Sequence, residues 1–246
     1  MVDGARRAVV ATFYAPGAWP DRVALDEGAA HHATVRRLAV GDSVRLTSGD
    51  GRRVHGTIAL LGKGRLEVDC DHASLQLMPA PPHVLLWAPV GDRDRMLLLA
   101  EKAVELGASA WRSIAYARSR HVNPRGEGTA FHEKLRRRMI AALEQSGSAW
   151  LPTIEPEAEA LDAISSGVAG HAMLLDELGA PIADVLADEH PRLVIACGPE
   201  GGLEPAERSA FDAGGWRTAS LGPNVLRFET AGIAGLALAR ALLRTT

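Results

Sequence analysis

Apolar residues in the first 77 positions come in short bursts rather than in helical stripes. Ala8–Tyr14, Ser43–Thr47, Arg53–Leu61 and Arg65–Cys70 are Val- and Leu-rich or alternate apolar with polar, the period of a half-buried strand. Turn residues separate them. Ser48-Gly49-Asp50-Gly51-Arg52 predicts a hairpin, and Gly62-Lys63-Gly64 a second tight turn. One helix is expected among these strands, opening at Asp26 as N-cap and running through Val35 to Leu38. Several short strands and one helix in so short a stretch predict a small β-barrel over residues 1–77. Pro79, Pro81 and Pro82 then make a stiff linker, the best domain boundary in the chain.

From His83 the rhythm changes. A continuous apolar strand, Val84–Val90, leads into an amphipathic helix whose apolar stripe is Met96, Leu97, Leu99, Ala100, Ala103, Val104 and Leu106, with Gly107 as its stop. Trp111–Tyr116 is the next strand, followed by a basic loop and a helix over Ala130–Ser146. Leu151–Ile154, His171–Leu175, Leu193–Cys197 and Arg217–Leu221 are further strands, alternating with helices of about 10 to 15 residues. A last helix, rich in Ala, Gly and Leu, ends in Arg244. Alternation of this kind predicts an α/β domain over residues 83–246, with a parallel sheet covered on both faces.

Composition narrows the class. The chain has 246 residues, 47% of them hydrophobic and 23% charged, ordinary values for a globular protein. Its 2 cysteines, Cys70 and Cys197, stand in no metal-ligand spacing and suit a reducing cytoplasm rather than a disulfide framework. The 9 histidines show no ligand spacing either, so no metal is expected. The longest apolar run, Ala231–Ala239, is too short to span a bilayer, and the first residues lack the apolar core of a secretory signal, so no membrane partner is expected. The net charge of -3 hides an asymmetry. Residues 112–138 carry 8 basic and 2 acidic side chains, whereas residues 139–246 carry 6 basic and 15 acidic ones. The basic block can meet a phosphate backbone or form a solvated helix face. With aromatics at only 4%, stacking on single-stranded bases is poorly provided for.

Two glycine-rich turns follow strands and precede helices. Cys197-Gly198-Pro199-Glu200-Gly201-Gly202 leaves Leu193–Cys197, and Leu221-Gly222-Pro223-Asn224-Val225-Leu226-Arg227 leaves the last strand. Strand ends of an open α/β sheet are where ligands bind, and glycine lets a backbone approach them. By spacing alone each turn is equally a tight βα connection. Neither a phosphate-binding P-loop nor a serine-hydrolase elbow is present. The acidic stretch Glu155–Glu159 reads most simply as a solvated face.

Taken together, these pieces resemble a family. Gly198-Pro199-Glu200-Gly201-Gly202, followed by Leu221-Gly222-x-x-Val225-Leu226-Arg227-x-Glu229-Thr230-Ala231, is similar to the signature of RsmE-type 16S ribosomal RNA (uracil-N3) methyltransferases of the SPOUT class. Glu101-Lys102-x-x-Glu105-Leu106-Gly107, Arg118-Ser119, Glu144-Gln145-Ser146-Gly147 and the helix containing His32 and Arg36-Arg37-Leu38 match in order and spacing over nearly the whole chain.

The resemblance implies a PUA-like, RNA-binding barrel and a methyltransferase domain with a C-terminal trefoil knot. It implies a homodimer, S-adenosylmethionine as cofactor, and a uridine in 16S RNA of the small ribosomal subunit as substrate. The cofactor residues it implies are Leu174, Leu175, Gly198, Pro199, Glu200, Gly201, Gly202, Leu221, Gly222, Val225, Leu226 and Thr230. Arg227 would stabilise charge on the uracil carbonyl oxygens, with Glu229 or Glu200 orienting the base or relaying its proton. Arg36, Arg37, Arg118, Ser119, Arg120, Arg136 and Arg137, with Arg138, would grip the RNA. Three positions depart from the family pattern. Ser148 and Asn224 stand where arginines are usual, and Phe228 where a smaller or polar residue is usual. The departures touch RNA affinity more than donor binding, and they motivate two other readings: an RNA-binding or ribosome-assembly protein without catalysis, and a methyltransferase acting on another RNA.

Overall fold

The computed structural model describes residue 9 and residues 11–121, 124–186 and 192–243, the side chains of residues 120 and 121 excepted. The chain divides into two compact units. The first comprises Met1–Ala80 with Leu143–Leu151, the second Pro81–Ala142 with Pro152–Thr246.

In the first unit, β1 (Ala11–Tyr14), β2 (Arg22–Leu25), α1 (Glu27–Val35), β3 (Ser43–Thr47), β4 (Arg52–Gly62) and β5 (Arg65–Leu77) follow one another. Their sheet has the order β1-β3-β4-β5-β2, parallel between β1 and β3 and antiparallel elsewhere. Strand alternation sends Phe13, Val44, Leu46, Val54, Ile58, Leu66 and Val68 to one face, where Ala30 and Ala33 of α1 join the core. Asp26 caps α1 as expected, its carboxylate accepting from the Ala29 amide at 2.9 Å. The helix stops at Val35, not Leu38. Arg37 takes a left-handed φ of 57°, and the Leu38 amide folds back onto the Ala33 carbonyl at 3.0 Å. β2 was not expected from the sequence, and β5 runs on to Leu77 instead of stopping at Cys70.

In the second unit the elements are β6 (His83–Pro89), α2 (Arg93–Glu105), β7 (Ala110–Ala115), a 3-10 turn (Ala117–His121) and α3 (Gly128–Ser146), whose last four residues belong to the first unit. Next come β8 (Thr153–Glu159), α4 (Ala160–Ser165), β9 (His171–Pro181), α5 (Ile182–Val185), β10 (Arg192–Cys197), α6 (Pro205–Ala213), β11 (Arg217–Ser220) and α7 (Phe228–Leu242). The six strands form one wholly parallel sheet in the order β11-β9-β10-β6-β7-β8. α4, α5 and α6 are shorter than the expected helices, at 6, 4 and 9 residues. Glu155–Glu159, read as a solvated face, is part of edge strand β8, which runs on past Ile154 and where Pro156 and the acids discourage further pairing.

Each central strand feeds two cores. Leu85, Trp87, Leu174, Val194 and Ala196 point to one face and pack with α4 and α6, where Trp216 lies 4.7 Å from Trp87 and 5.0 Å from Phe211, centroid to centroid. The alternate residues meet α2 and α7. A Cβ on Gly232 would lie 2.8 Å from Leu99 Cδ1 and 3.2 Å from Cys197 Sγ, and one on Gly235 would lie 2.8 Å from Leu175 Cδ1. The small residues of α7 are therefore used inside this unit, drawing the helix onto the sheet. Arg240, near its end, gives Nη1 to the Pro82 carbonyl at 2.5 Å and Nη2 and Nε to the Gly107 and Leu106 carbonyls left open by the end of α2. Burial lowers that guanidinium to a pKa of about 10. Among the described residues no helix is long and apolar enough to cross a membrane.

This packing makes a direct prediction. Gly232→Val should destabilise the protein by about 1–3 kcal/mol in urea unfolding, because the methyls have nowhere to go. Gly62→Ala, where a Cβ would meet nothing within 4 Å, should change stability by less than about 0.5 kcal/mol.

Candidate functional site

The middle of β9, the C-terminal end of β10, the loop after Cys197 and the N-terminus of α7 enclose a cavity of about 530 Å³. That size suits a small-molecule ligand. A second space of about 60 Å³ adjoins it and shares Leu175, Asp176, Glu177, Leu226 and Ala231. Of the residues expected at a cofactor site, Leu175, Gly198, Pro199, Glu200, Gly202, Val225 and Leu226 line the larger space, and Leu221 and Gly222 the smaller. Arg227 also lines the larger one.

Leu174 has its side chain in the opposite core, as the two-residue period of β9 requires of a neighbour of Leu175. Gly201 lies outside the lining, turned toward Arg118: a Cβ there would meet Arg118 Cβ at 3.0 Å. Thr230 is exposed on the first turn of α7 and also outside the lining. The loop is shaped by its own contacts. Gly202 adopts φ +74°, and its amide donates to the Pro199 carbonyl at 2.9 Å. Glu204 and Glu207 form a capping box at the start of α6.

A charged cluster stands at one side of the cavity. Arg95, in the first turn of α2, donates to Glu200 and lies with Nε 3.9 Å from Glu229 Oε1. Glu229 is only 7% exposed, and its Oε2 is buried without a hydrogen-bond partner. Arg227 is exposed at the N-cap of α7, so its guanidinium is not consumed by packing. Across the cavity Arg208 pairs with Asp176 at 2.8 Å, while Glu177 is exposed. Arg95 was missed by sequence reading, because the apolar stripe of α2 accounts for the helix without reference to its polar positions. Its spacing one residue before Met96 was the available signal.

The residues expected to hold RNA are spread. Arg36 and Arg37 are exposed at the end of α1, and Arg136, Arg137 and Arg138 are exposed along α3, Arg138 pairing with Glu101 at 3.1 Å. Arg118 is occupied: Nε donates to Glu204 at 2.6 Å and Nη1 to the Gly201 carbonyl at 2.8 Å. Ser119 is buried with an unpartnered hydroxyl. The side chain of Arg120 lies outside the described residues.

Comparisons with known proteins show the family and the fold. The RNA methyltransferase domain family matches residues 78–240, and the RNA methyltransferase PUA domain family matches residues 25–69. A ribosomal RNA small subunit methyltransferase E from Mycobacterium bovis is 31% identical over 220 residues, which are 86% of this chain and 82% of that protein. The chain belongs to the ribosomal RNA small subunit methyltransferase E family. Solved structures share the fold. The family's Neisseria gonorrhoeae enzyme, bound to S-adenosyl methionine, superposes with a TM-score of 0.82 at 24% identity, covering 95% of this chain and 98% of that one. A probable rRNA-methyltransferase from Porphyromonas gingivalis superposes at 0.77 with 27% identity, also covering 95% and 98%.

Cys197, in the cavity wall, provides a probe of the site. Burial pushes its thiol up to about 12, so the reactive thiolate is scarce at neutral pH, and the side chain is only 1% exposed. Thiol titration of the native protein should therefore report Cys70 alone, with Cys197 reacting only after denaturation. Two fast-reacting thiols in the native state would contradict the described packing.

Proposed function

We propose that this chain transfers a methyl group from S-adenosylmethionine to N3 of a uridine in the 16S RNA of the small ribosomal subunit. The observation that carries the reading is the cavity between the middle of β9 and the end of β10, walled by both glycine loops and edged by Arg227, Arg95, Glu200 and Glu229. Its residues fit the donor. Leu175, Val225, Leu226 and Phe228 offer apolar walls for an adenine ring, and Glu177 offers carboxylate oxygens to ribose hydroxyls. A Cβ on Gly198 would meet only Leu203, at 3.9 Å, so packing within the chain does not demand glycine there, and its backbone is left open to a ligand.

When bound, the cofactor supplies an electrophilic sulfonium methyl. The chain's part is to align an acceptor with it and to receive charge. Arg227, assisted by the positive end of α7, stabilises the negative charge that spreads onto the uracil carbonyl oxygens as the N3 proton leaves. Glu229 Oε2, the unpaired carboxylate oxygen, is the candidate to orient the base or take that proton, with Arg95 holding Glu229 and Glu200 in register. Arg118 positions the Gly201–Gly202 turn through Glu204 and the Gly201 carbonyl. Arg36, Arg37, Arg136 and Arg137 supply phosphate contacts. The second unit carries the trefoil knot, a reading supported by α7 returning past β10 after β11 has paired beyond β9. Exposed Leu98, Leu238 and Leu242 on α2 and α7 support a homodimer through those helices, working in the cytoplasm.

The test is transfer from labelled S-adenosylmethionine to small subunits lacking their own uridine N3 methylation, followed by nucleoside analysis. Label is expected as 3-methyluridine at one site. Label on another base or another RNA favours the alternative substrate, and none at all, with cofactor still bound, favours a binding role. Arg227→Ala should lower turnover by about 10²–10³-fold at unchanged cofactor affinity. Full turnover in that variant would remove Arg227 from the mechanism.

A further inference from the structure

The face of the first sheet opposite its core carries an unusual set of side chains. Thr12, Arg45 and His55 stand abreast across β1, β3 and β4, and Tyr14, Thr47 and Arg53 form the next row. Strand alternation puts both arginines on this face, because Val44, Leu46 and Val54 take the other. The segment Leu143–Leu151 borders it. Thr47 Oγ1 donates to the Ser148 carbonyl at 3.3 Å, and the Tyr14 amide donates to Glu144 Oε1 at 2.9 Å.

The two guanidiniums are half-buried and have no carboxylate. Among the described residues the Arg45 side chain makes neither an ion pair nor a hydrogen bond, and the Arg53 side chain gives Nη2 only to the Gly147 carbonyl. The Nε of each is buried without a partner. Burial and the neighbouring charge of Arg45 together lower the Arg53 guanidinium below its ordinary range. Of the acids near this region, Glu144 accepts from the Tyr14 amide and meets His32 at 3.2 Å, and Asp71, opposite His55 in the β4–β5 register, forms no ion pair with either arginine among the described residues. Two like charges held close without a counter-ion oppose folding, and an anion bound between them relieves that cost.

We infer that Arg45 and Arg53 together form a phosphate site, and, on the reading that the substrate is RNA, that its occupant is a backbone phosphate of that RNA. The anion lies against the outer ends of both guanidiniums, beside the Gly147–Ser148 turn. This places a phosphate contact at a site distinct from the exposed arginines of α1 and α3. It requires Arg45 and Arg53 to act as a pair, through charge and not through base recognition.

The experiment is equilibrium binding of in vitro transcribed 16S RNA to the full chain across a potassium chloride series. It compares wild type with the double variant Arg45→Gln/Arg53→Gln and with Arg45→Lys/Arg53→Lys. Cofactor binding is measured on each as an independent check of the second unit. Loss of the site should reduce the slope of log affinity against log salt by about one in the Gln variant, for any RNA sequence, and the Lys variant should retain most of it. An unchanged slope in the Gln variant overturns the proposal. A second measurement separates the site from the RNA reading. Inorganic phosphate, at ionic strength matched with chloride, should raise the melting temperature of wild type more than that of the Gln variant. Equal rises overturn the site. A larger rise in wild type that shows no salt-dependent RNA binding supports the anion site and instead refutes RNA as its occupant.

Discussion

The close approach of α7 to the parallel sheet is the constraint on which the candidate site depends. Gly232 and Gly235 leave no room for a Cβ between the helix and Leu99, Cys197 and Leu175. Seated this deeply, α7 brings its first turn to the middle of β9 and the end of β10, where Arg227, Phe228 and Ala231 become part of the cavity wall. At the other end Arg240 ties the helix to carbonyls of Pro82, Leu106 and Gly107. A helix with larger residues at those two positions would stand off the sheet and carry its N-terminus, with Arg227, away from the glycine loop.

Around that frame the charges are arranged by neighbours from distant parts of the chain. Arg95 from α2 reaches Glu200 in the loop after β10 and approaches Glu229 in α7. Arg118, after β7, braces the same loop from outside through Glu204 and Gly201. These contacts hold the glycine loop without filling the cavity, which is what a backbone-lined ligand site needs.

Much of this was legible in the sequence. The apolar runs became strands β6, β7, β9, β10 and β11, the stripe from Met96 became α2, and both glycine turns came to line adjoining spaces. What was not legible depends on partners remote in sequence. The four residues Arg22–Leu25 are a strand only because β5 pairs with them. The acids of Glu155–Glu159 alternate with Pro156 and Ala158 and so lack an apolar period, yet β7 draws them into the sheet edge. Leu143–Leu151 packs with the first unit through contacts with Gly49, Gly51 and Tyr14, which no local pattern announces. Leu174 and Leu175 looked equivalent as a pair, and strand pleat alone separates them into opposite faces.

The proposed methyl-donor site is the space between the Gly198 loop and the start of α7. Calorimetric titration of S-adenosylmethionine into the wild-type chain and into Gly198→Leu tests it most directly, because the substitution extends a side chain beside Leu203 in the cavity wall without a left-handed φ to strain it. One bound cofactor per chain is expected in the wild type, with loss of binding in a variant that remains folded by melting temperature. Undiminished binding in Gly198→Leu would contradict it and move the donor elsewhere.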